Sequence, residues 1–501
     1  MNKLLNGLTN ATNFAYTENG ALAHSSTKSD LLDLFAMGAA MRKRSEEDCI
    51  LMFRKAYAEN PVYALKCLFY IRDIRGGQGE RRFFRVCFKD LAKQDPEAVI
   101  RNLDNIAEYG RYDDYFCLMD TPVQDNMLKL IKHQLVLDME CKTPSLLAKW
   151  LPSENTSSHK TRALAARIRN YLNISHKQYR KTLSVLRARI NVLERLMSAN
   201  RWEEIEFDKI PSKAGLIYKN AFARRDLIKQ KYETFAKSEN TKVNAKTLYP
   251  YEVVDKALKV RYAATDSVDR AIVNKYWANL EDYFNGASLN ALAVVDTSDS
   301  MTSYEASAPI NVAISLGLYC AERAGGPFAN HYISFASRPQ LIKTEGVDFV
   351  DKVRRIYETN LVDNTNIEGV FDLLLQTAIN NDCGQEDLPK NIIILSDMQF
   401  DSCAQPGWWG NRGNFTAFNT HNAETLLEGI GRKWQAYGYQ LPHLIFWNLR
   451  SINAAVPMLG NGPISYVSGF SPSIFQTILT GKTGYELMMA KLDSERYAAV
   501  N

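Results

Sequence analysis

From about residue 29 to residue 240 apolar side chains recur at three- and four-residue spacing, as in SDLLDLFAMGAAMRK, EDCILMFRKAYAENPVYALKCLFYIRDI, RRFFRVCFKDLAKQ and DNMLKLIKHQLVLDME. The spacing predicts consecutive amphipathic helices. Breaks near Pro61, Gly76-Gly77 and Gly110 separate them, with the rhythm of stacked helical pairs in an α-solenoid. After about residue 285 four apolar, β-branched runs appear, LNALAVVD, HYISFA, NIIILS and LPHLIFWNL, with helical stretches such as APINVAISLGLYCAERA and NAETLLEGIGRKWQAYG between them. Strands alternating with helices predict a largely parallel sheet covered on both faces. The expected architecture is an all-α domain over residues 1–285 and an α/β domain over 286–501, divided at the Asn285-Gly286 turn.

Composition narrows the class. At 501 residues the chain is too long for one ordinary core, and 23% charged with 46% hydrophobic residues is the balance of a folded, soluble protein. No apolar run reaches the roughly 18 residues a spanning helix needs. The start MNKLLNGLTNATN lacks the basic-then-apolar layout of a signal peptide, so a cytoplasmic location is the expectation; a monomer is expected as well. The cysteines are dispersed without a CxxC pair, and the histidines are scattered, which points away from a zinc hydrolase or a Cys-His nucleophile. Most of the thiols are expected to be buried.

The strand ends carry the chemistry. The run ALAVV leads directly into Asp296-Thr297-Ser298-Asp299-Ser300, so Asp296, Ser298 and Ser300 can turn one carboxylate and two hydroxyls toward one point. These are hard oxygen ligands suited to Mg²⁺ or Mn²⁺. Thr365, ahead of a predicted helix, and Asp397, at the end of NIIILS, would add two more oxygens from neighbouring loops. Two carboxylates leave such a cation electron-poor, with a position open to water or an acidic group. The set resembles the metal-ion-dependent adhesion site of von Willebrand factor A domains. A phosphatase of the haloacid-dehalogenase type would place a second Asp at position 298, where Ser stands, and RGGQGER lacks the Gly-Lys-Ser/Thr ending of a phosphate loop.

Charge is distributed unevenly. The net charge is only +5, yet residues 160–232 hold eighteen Lys or Arg against six Asp or Glu, which is the footprint of a polyanion ligand. Tyr171, Tyr179, Trp202, Tyr218 and Phe222 are interleaved there, a mixture suited to stacking bases while cations meet phosphates. The candidate RNA contacts are Arg167, Arg169, Lys177, Arg180, Lys181, Arg187 and Lys213, with Arg72, Arg75 and Arg81 of RDIRGGQGERR as a second group. Arg111, Asp113 and Asp114 in YGRYDDYF are expected to form an inter-helix ion-pair network instead of a catalytic acid pair.

The segments TENGALAHSSTKSDLLDLF, FYIRDIRGGQGERRFF, YGRYDDYF, RWEEIEFDKIPSKA, TLYPYEVV, VVDTSDSM, SDMQFD, FWNLRS and YVSGFSP resemble, in order and over nearly the whole chain, an uncharacterised family of bacteria, plants and viruses. That family is similar in architecture to the Ro autoantigen (TROVE-module) proteins. The resemblance implies a ring of helical HEAT-like repeats joined to a von Willebrand A domain, with no enzymatic activity, in a small ribonucleoprotein. It implies RNA as partner and Mg²⁺ or Mn²⁺ at Asp296, Ser298, Ser300, Thr365 and Asp397. The alternative is a protein-interaction module whose metal takes a partner's Asp or Glu.

Overall fold

The computed structural model describes residues 12–190, 192–302, 309–335, 338–359, 366–400, 425–452, 455–459 and 463–501. The chain is mixed α and β. Its compact units are two, and both are discontinuous: residues 1–67, 248–265 and 280–494 form the first, and residues 68–247, 266–279 and 495–501 the second.

The first unit is built on a six-stranded sheet in the order β5-β4-β3-β6-β7-β8, preceded by a hairpin of β1 (Phe14–Tyr16) and β2 (Leu22–His24). The sheet strands are β3 (Ala291–Asp296), β4 (His331–Phe335), β5 (Gln340–Lys343), β6 (Asn391–Ser396), β7 (His443–Asn448) and β8 (Ile464–Ser468). All pair in parallel except β5, which runs antiparallel at the edge. Central parallel strands are covered on both faces and therefore read as unbroken apolar runs. The six residues of β3 are all buried, as are those of β7. The helix Pro309–Arg323 lies so close on the sheet that a Cβ at Gly317 would come within 2.5 Å of Val295 Cγ2.

Sheet order places the functional crevice. Connections leave β3 toward β4 on one side, while β6 lies on the other, so the strand order reverses between β3 and β6. Ligands of open α/β sheets bind beyond the carboxyl ends at such a reversal. Asp296 ends β3, and Asp397 directly follows β6.

The linear division expected at residue 285 differs from the observed one. The helix Asp30–Met37, capped by Ser29, buries seven of its eight residues in the α/β unit, where Ser468 Oγ of β8 donates to Phe35 O at 3.0 Å. His24 exchanges backbone hydrogen bonds with Val456, 2.8 Å each way. The helix Pro250–Val260 packs on Pro309–Arg323, and Asn311 Nδ2 donates to Asp255 Oδ1 at 2.8 Å. Three- and four-residue periodicity shows that a helix has an apolar face, and it is silent on which element covers that face.

In the second unit the apolar face of the helix Arg81–Gln94 (Phe83, Phe84, Cys87, Phe88, Leu91, Ala92) is buried. The segment 495–501 belongs here: the Tyr497 ring lies against Tyr109 and Tyr70, and Asp73 accepts from Tyr497 Oη at 3.0 Å and from Arg496 Nη2 at 2.8 Å. Gly77 is required at this turn, since a Cβ would fall 2.0 Å from Tyr70 O. Among the described residues no helix is long and apolar enough to cross a membrane. Cys49, Cys67, Cys87 and Cys320 are buried free thiols, Cys117 and Cys383 are half-buried, and Cys141 is exposed. Cys403 lies outside the described residues.

Candidate cation site and basic groove

Four of the five proposed metal ligands can be placed, and all four stand at the β3/β6 reversal in the first unit. Asp296, Ser298 and Asp397 are buried, and Ser300 is half-buried. Thr365 lies outside the described residues. The D-x-S-x-S run folds back on its first member: the Ser298 N–H donates to Asp296 Oδ1 at 3.0 Å, and the Ser298 and Ser300 hydroxyls are 3.1 Å apart. Across the strands Ser396 Oγ donates to Asp296 Oδ2 at 2.5 Å and accepts from the Met398 N–H at 2.9 Å. Met398 has φ +63°, a left-handed turn directly after Asp397. The Gln399 N–H returns to Asp397 Oδ1 at 3.2 Å, but Asp397 Oδ2 is buried without a hydrogen-bond partner among the described residues.

Two acidic groups buried side by side oppose ionisation. Burial, and then the neighbouring Asp397, push the Asp296 carboxyl up to about 7, against the hydrogen bonds from Ser298 and Ser396. Burial likewise raises Asp397, with the Ser300 hydroxyl and the Arg450 guanidinium pulling the other way. Arg450 is positioned at the rim, where its Nη1 donates to Ser300 O at 2.9 Å. An orphaned carboxylate oxygen, a second buried carboxylate and two adjacent hydroxyls form an oxygen-only donor set, and such a set fits a hard divalent cation. Among the described residues no group of three or more His, Cys, Asp or Glu side chains is gathered, and the two carboxylates Asp296 and Asp397 stand here without a third. Ser396, Gln399 and Arg450 were missed from sequence. Ser396 and Gln399 flank Asp397 in SDMQ, whereas Arg450 follows β7 and carries no local signal.

The second unit separates the proposed RNA contacts into distinct environments. On the helix His176–Arg189, Lys177, Arg180 and Lys181 follow i, i+3, i+4 spacing on the face opposite the buried Tyr179, Leu183 and Leu186. All three are exposed and make no ion pair among the described residues. They line a groove of about 1130 Å³ together with Lys149, Arg187 and Arg195, against two acids, Glu154 and Glu194.

The remaining cations are committed to the fold to different degrees. Arg187 lies in the groove wall, where Nε and Nη2 donate to Ala148 O and Leu151 O, both at 2.8 Å, and Nη1 to Ser153 Oγ at 2.9 Å. Arg169 is held by Glu154 at 2.8 Å, and Arg167 by Asp120 at 2.7 Å. Lys213 is exposed on the helix Ser212–Arg224, apart from the groove lining. Arg75 donates to Glu108 O. Burial and the charges of Arg111 and Arg85 lower the pKa of Arg81, the first residue of its helix.

Two expectations are corrected. Arg72 is 2% exposed and lies on Asp114, with Nε at 2.8 Å and Nη2 at 2.7 Å, so it is a core ion pair and not a phosphate contact. Tyr179, Trp202 and Phe222 are buried and offer no face to a base. Trp202 and Phe222 instead stack edge-on against each other. The apolar periodicity that defines a helix and the aromatic periodicity suggestive of base stacking are the same signal, and here the core takes it. Arg111, Asp113 and Asp114 do form the ion-pair network expected of them: Asp113 accepts from Arg111 at 2.6 Å and Arg85 at 2.8 Å, and Asp114 from Arg85 at 2.6 Å.

Family models agree in order with this chain. DUF2828, described as a domain of unknown function, matches residues 17–145 and 144–285, and DUF7788, described in the same terms, matches residues 290–498. The chain is similar to "Uncharacterized protein L728" of Acanthamoeba polyphaga mimivirus, 31% identical over 517 residues, covering 94% of this chain and 85% of the viral one. Among solved structures, the Ro (RSR) protein of Deinococcus radiodurans aligns over 96% of both chains, with 13% identity and a TM-score of 0.35.

Proposed function

We propose that this chain, which belongs to the DUF2828 family, is a binding protein rather than an enzyme, taking RNA phosphates along the groove of its second unit and a divalent cation at the β3/β6 reversal of its first. One observation supports the RNA reading above the others: Lys177, Arg180 and Lys181 present three exposed charges on one helix face without an ion-pair partner among the described residues, in a groove lined by six cations against two acids. Solvated surface cations are usually interspersed with acids, and an unanswered stripe beside a groove attracts a polyanion. Because Tyr179, the aromatic in the groove lining, is buried, the groove engages phosphates more than bases. Binding is therefore salt-sensitive and weakly selective for sequence.

The test is fluorescence anisotropy with a labelled single-stranded RNA across a salt series. Neutralising the stripe in K177Q/R180Q/K181Q removes three phosphate contacts. At roughly 0.7 per contact for single strands, the slope of log K against log salt falls by about 2. An unchanged affinity and slope would sink the RNA reading.

For the cation, Asp296, Ser298, Ser300 and Asp397 are the residues that would hold Mg²⁺ or Mn²⁺, which would supply a positive centre for an acidic group. Burial keeps bulk water from competing for the carboxylates, and the Ser396 hydroxyl holds Asp296 in place. Calorimetric titration of Mn²⁺ should show binding to the wild-type chain and none to Asp296→Ala.

A further inference from the structure

We propose that the turn of the N-terminal hairpin, Thr17–Gly20, is an internal strap across the cation site, and that Glu18 is the acid that completes the site from within the same chain. The inference rests on the cation reading above and names the source of the acidic group that such a site invites.

The strap is fixed by backbone and side chain together. Thr17 Oγ1 donates to Phe400 O at 2.7 Å, the Glu18 N–H to Gln399 Oε1 at 2.8 Å, and Asn19 Nδ2 to Gln399 O at 2.7 Å. Gln399 in turn binds Asp397, through its own N–H to Oδ1 at 3.2 Å and through Nε2 to the Asp397 carbonyl at 3.3 Å. One side chain thus joins the turn to a candidate ligand. The turn is itself well made: the Gly20 N–H donates to Thr17 O at 3.0 Å, and Gly20 takes φ +86°, where a side chain would be strained.

The rim carries charges of its own: Arg450 Nη1 donates to Ser300 O, beside the exposed Asp299 of the same loop. Glu18 is exposed, and its carboxylate makes no hydrogen bond or ion pair among the described residues. Its backbone N–H sits on Gln399, two residues beyond Asp397 and bonded to the Asp397 carboxylate. The buried, unpartnered Asp397 Oδ2 marks where a cation would draw the two acids together. With Glu18 in place the site is closed by its own chain, so an acidic partner would have to displace the strap.

The experiment titrates Mn²⁺ alone into the full chain by calorimetry, and counts Mn²⁺-bound water by proton relaxation, for the wild type, E18Q and D296A. E18Q should weaken Mn²⁺ binding by about tenfold, the effect of removing one nearby charge, and raise the relaxation enhancement as water replaces the carboxylate. D296A should not bind. If E18Q matches the wild type in affinity and in bound water, the strap proposal is overturned while the cation site stands. If the wild type itself takes up no Mn²⁺, the cation reading fails and the strap goes with it. Thermal melts in chelator, expected to coincide for wild type and E18Q, separate loss of the charge from loss of the fold.

Discussion

Replacing Asp114 by Ala should be the most damaging single truncation in the second unit. The carboxylate is fully buried and accepts four hydrogen-bonding groups: Arg72 Nε and Nη2 at 2.8 and 2.7 Å, Arg85 Nε at 2.6 Å and the Arg111 N–H at 2.9 Å. Removing it leaves the buried Arg72 guanidinium without a counter-charge. Breaking one side of a buried pair costs about 3–5 kcal/mol, and the lost backbone acceptor places the expectation near the middle, about 4 kcal/mol. Asp113→Ala is the internal control. Its side chain is one-fifth exposed and its partners Arg85 and Arg111 reach solvent, so its loss should cost about 1 kcal/mol. Urea unfolding read by hydrogen exchange on peptides covering residues 68–118 isolates this unit. With a urea dependence of about 2 kcal/mol per molar, the Asp114→Ala midpoint should fall by about 2 M. A fall below about 0.5 M would refute the buried-charge argument. The double variant R72M/D114L, which removes both charges, should recover at least half of the loss, because the cost lies in the uncompensated partner and not in the missing pair.

Two further outcomes follow from other sites. His443 is 9% exposed, with Nδ1–H donating to Asn391 Oδ1 at 3.1 Å and Nε2 accepting from Ser465 Oγ at 2.8 Å, so the neutral ring is the one accommodated. Burial lowers its pKa from 6.5 to about 4. The unfolded chain therefore binds the proton first, and this contribution is lost as pH falls from about 6.5 to 4. The full shift corresponds to about 3 kcal/mol, and solvent at the start of the strand reduces it to roughly 2. His443→Gln should flatten the pH dependence of the melting temperature in that window, and an unaltered profile would contradict the assignment. In the cation site, Asp296→Asn removes one of two adjacent buried charges. In chelator at pH 8 it should be more stable than wild type by about 1–3 kcal/mol by urea unfolding, and a less stable variant would show that the carboxylate pair is not in conflict.

Much of the first unit is legible in sequence because burial there is total. Runs such as ALAVV, NIIIL and HLIFW are apolar on both faces, and a chain can hold such a run only as a core strand or a buried helix. Their brevity decides for strand. The edge strand β5, QLIK, alternates between half-buried and exposed positions, and β8, ISYVS, carries two serines that look solvent-facing until their partners are known. Ser465 serves His443, and Ser468 serves Phe35 O. The position of the D-x-S-x-S loop was likewise readable, since the motif is local and the strand before it fixes where its side chains emerge. In the second unit the composition of residues 160–232 was informative about charge and misleading about aromatics. A Tyr at a core-facing helical position and a Tyr offered to a base occupy the same sequence pattern, and only burial distinguishes Tyr179 from a stacking platform.

What could not be read is what depends on partners remote in sequence. FYIRDIRGGQGERR and YGRYDDYF look like two motifs with separate chemistry, but Arg72 of the first, and Arg85 three residues beyond its end, converge on Asp114 of the second. Gly110 permits the approach, as a Cβ there would lie 2.4 Å from Asp114 Oδ2 and 3.1 Å from Arg72 Nε. Two of the glycines that resemble a phosphate loop are steric clearances instead: a Cβ at Gly76 would meet Arg496 Cδ at 2.8 Å, and one at Gly77 would meet Tyr70 O at 2.0 Å. The same reasoning applies to TENG, which by itself is a polar hairpin turn. It gains meaning only because Gln399, 381 positions from Glu18, ties it to Asp397. An acid without a local partner carries no signal of its role until the fold places it beside a site that needs its charge. Glu18 is therefore the residue at which substitution discriminates most sharply between a cation site closed by its own chain and one left open for a partner.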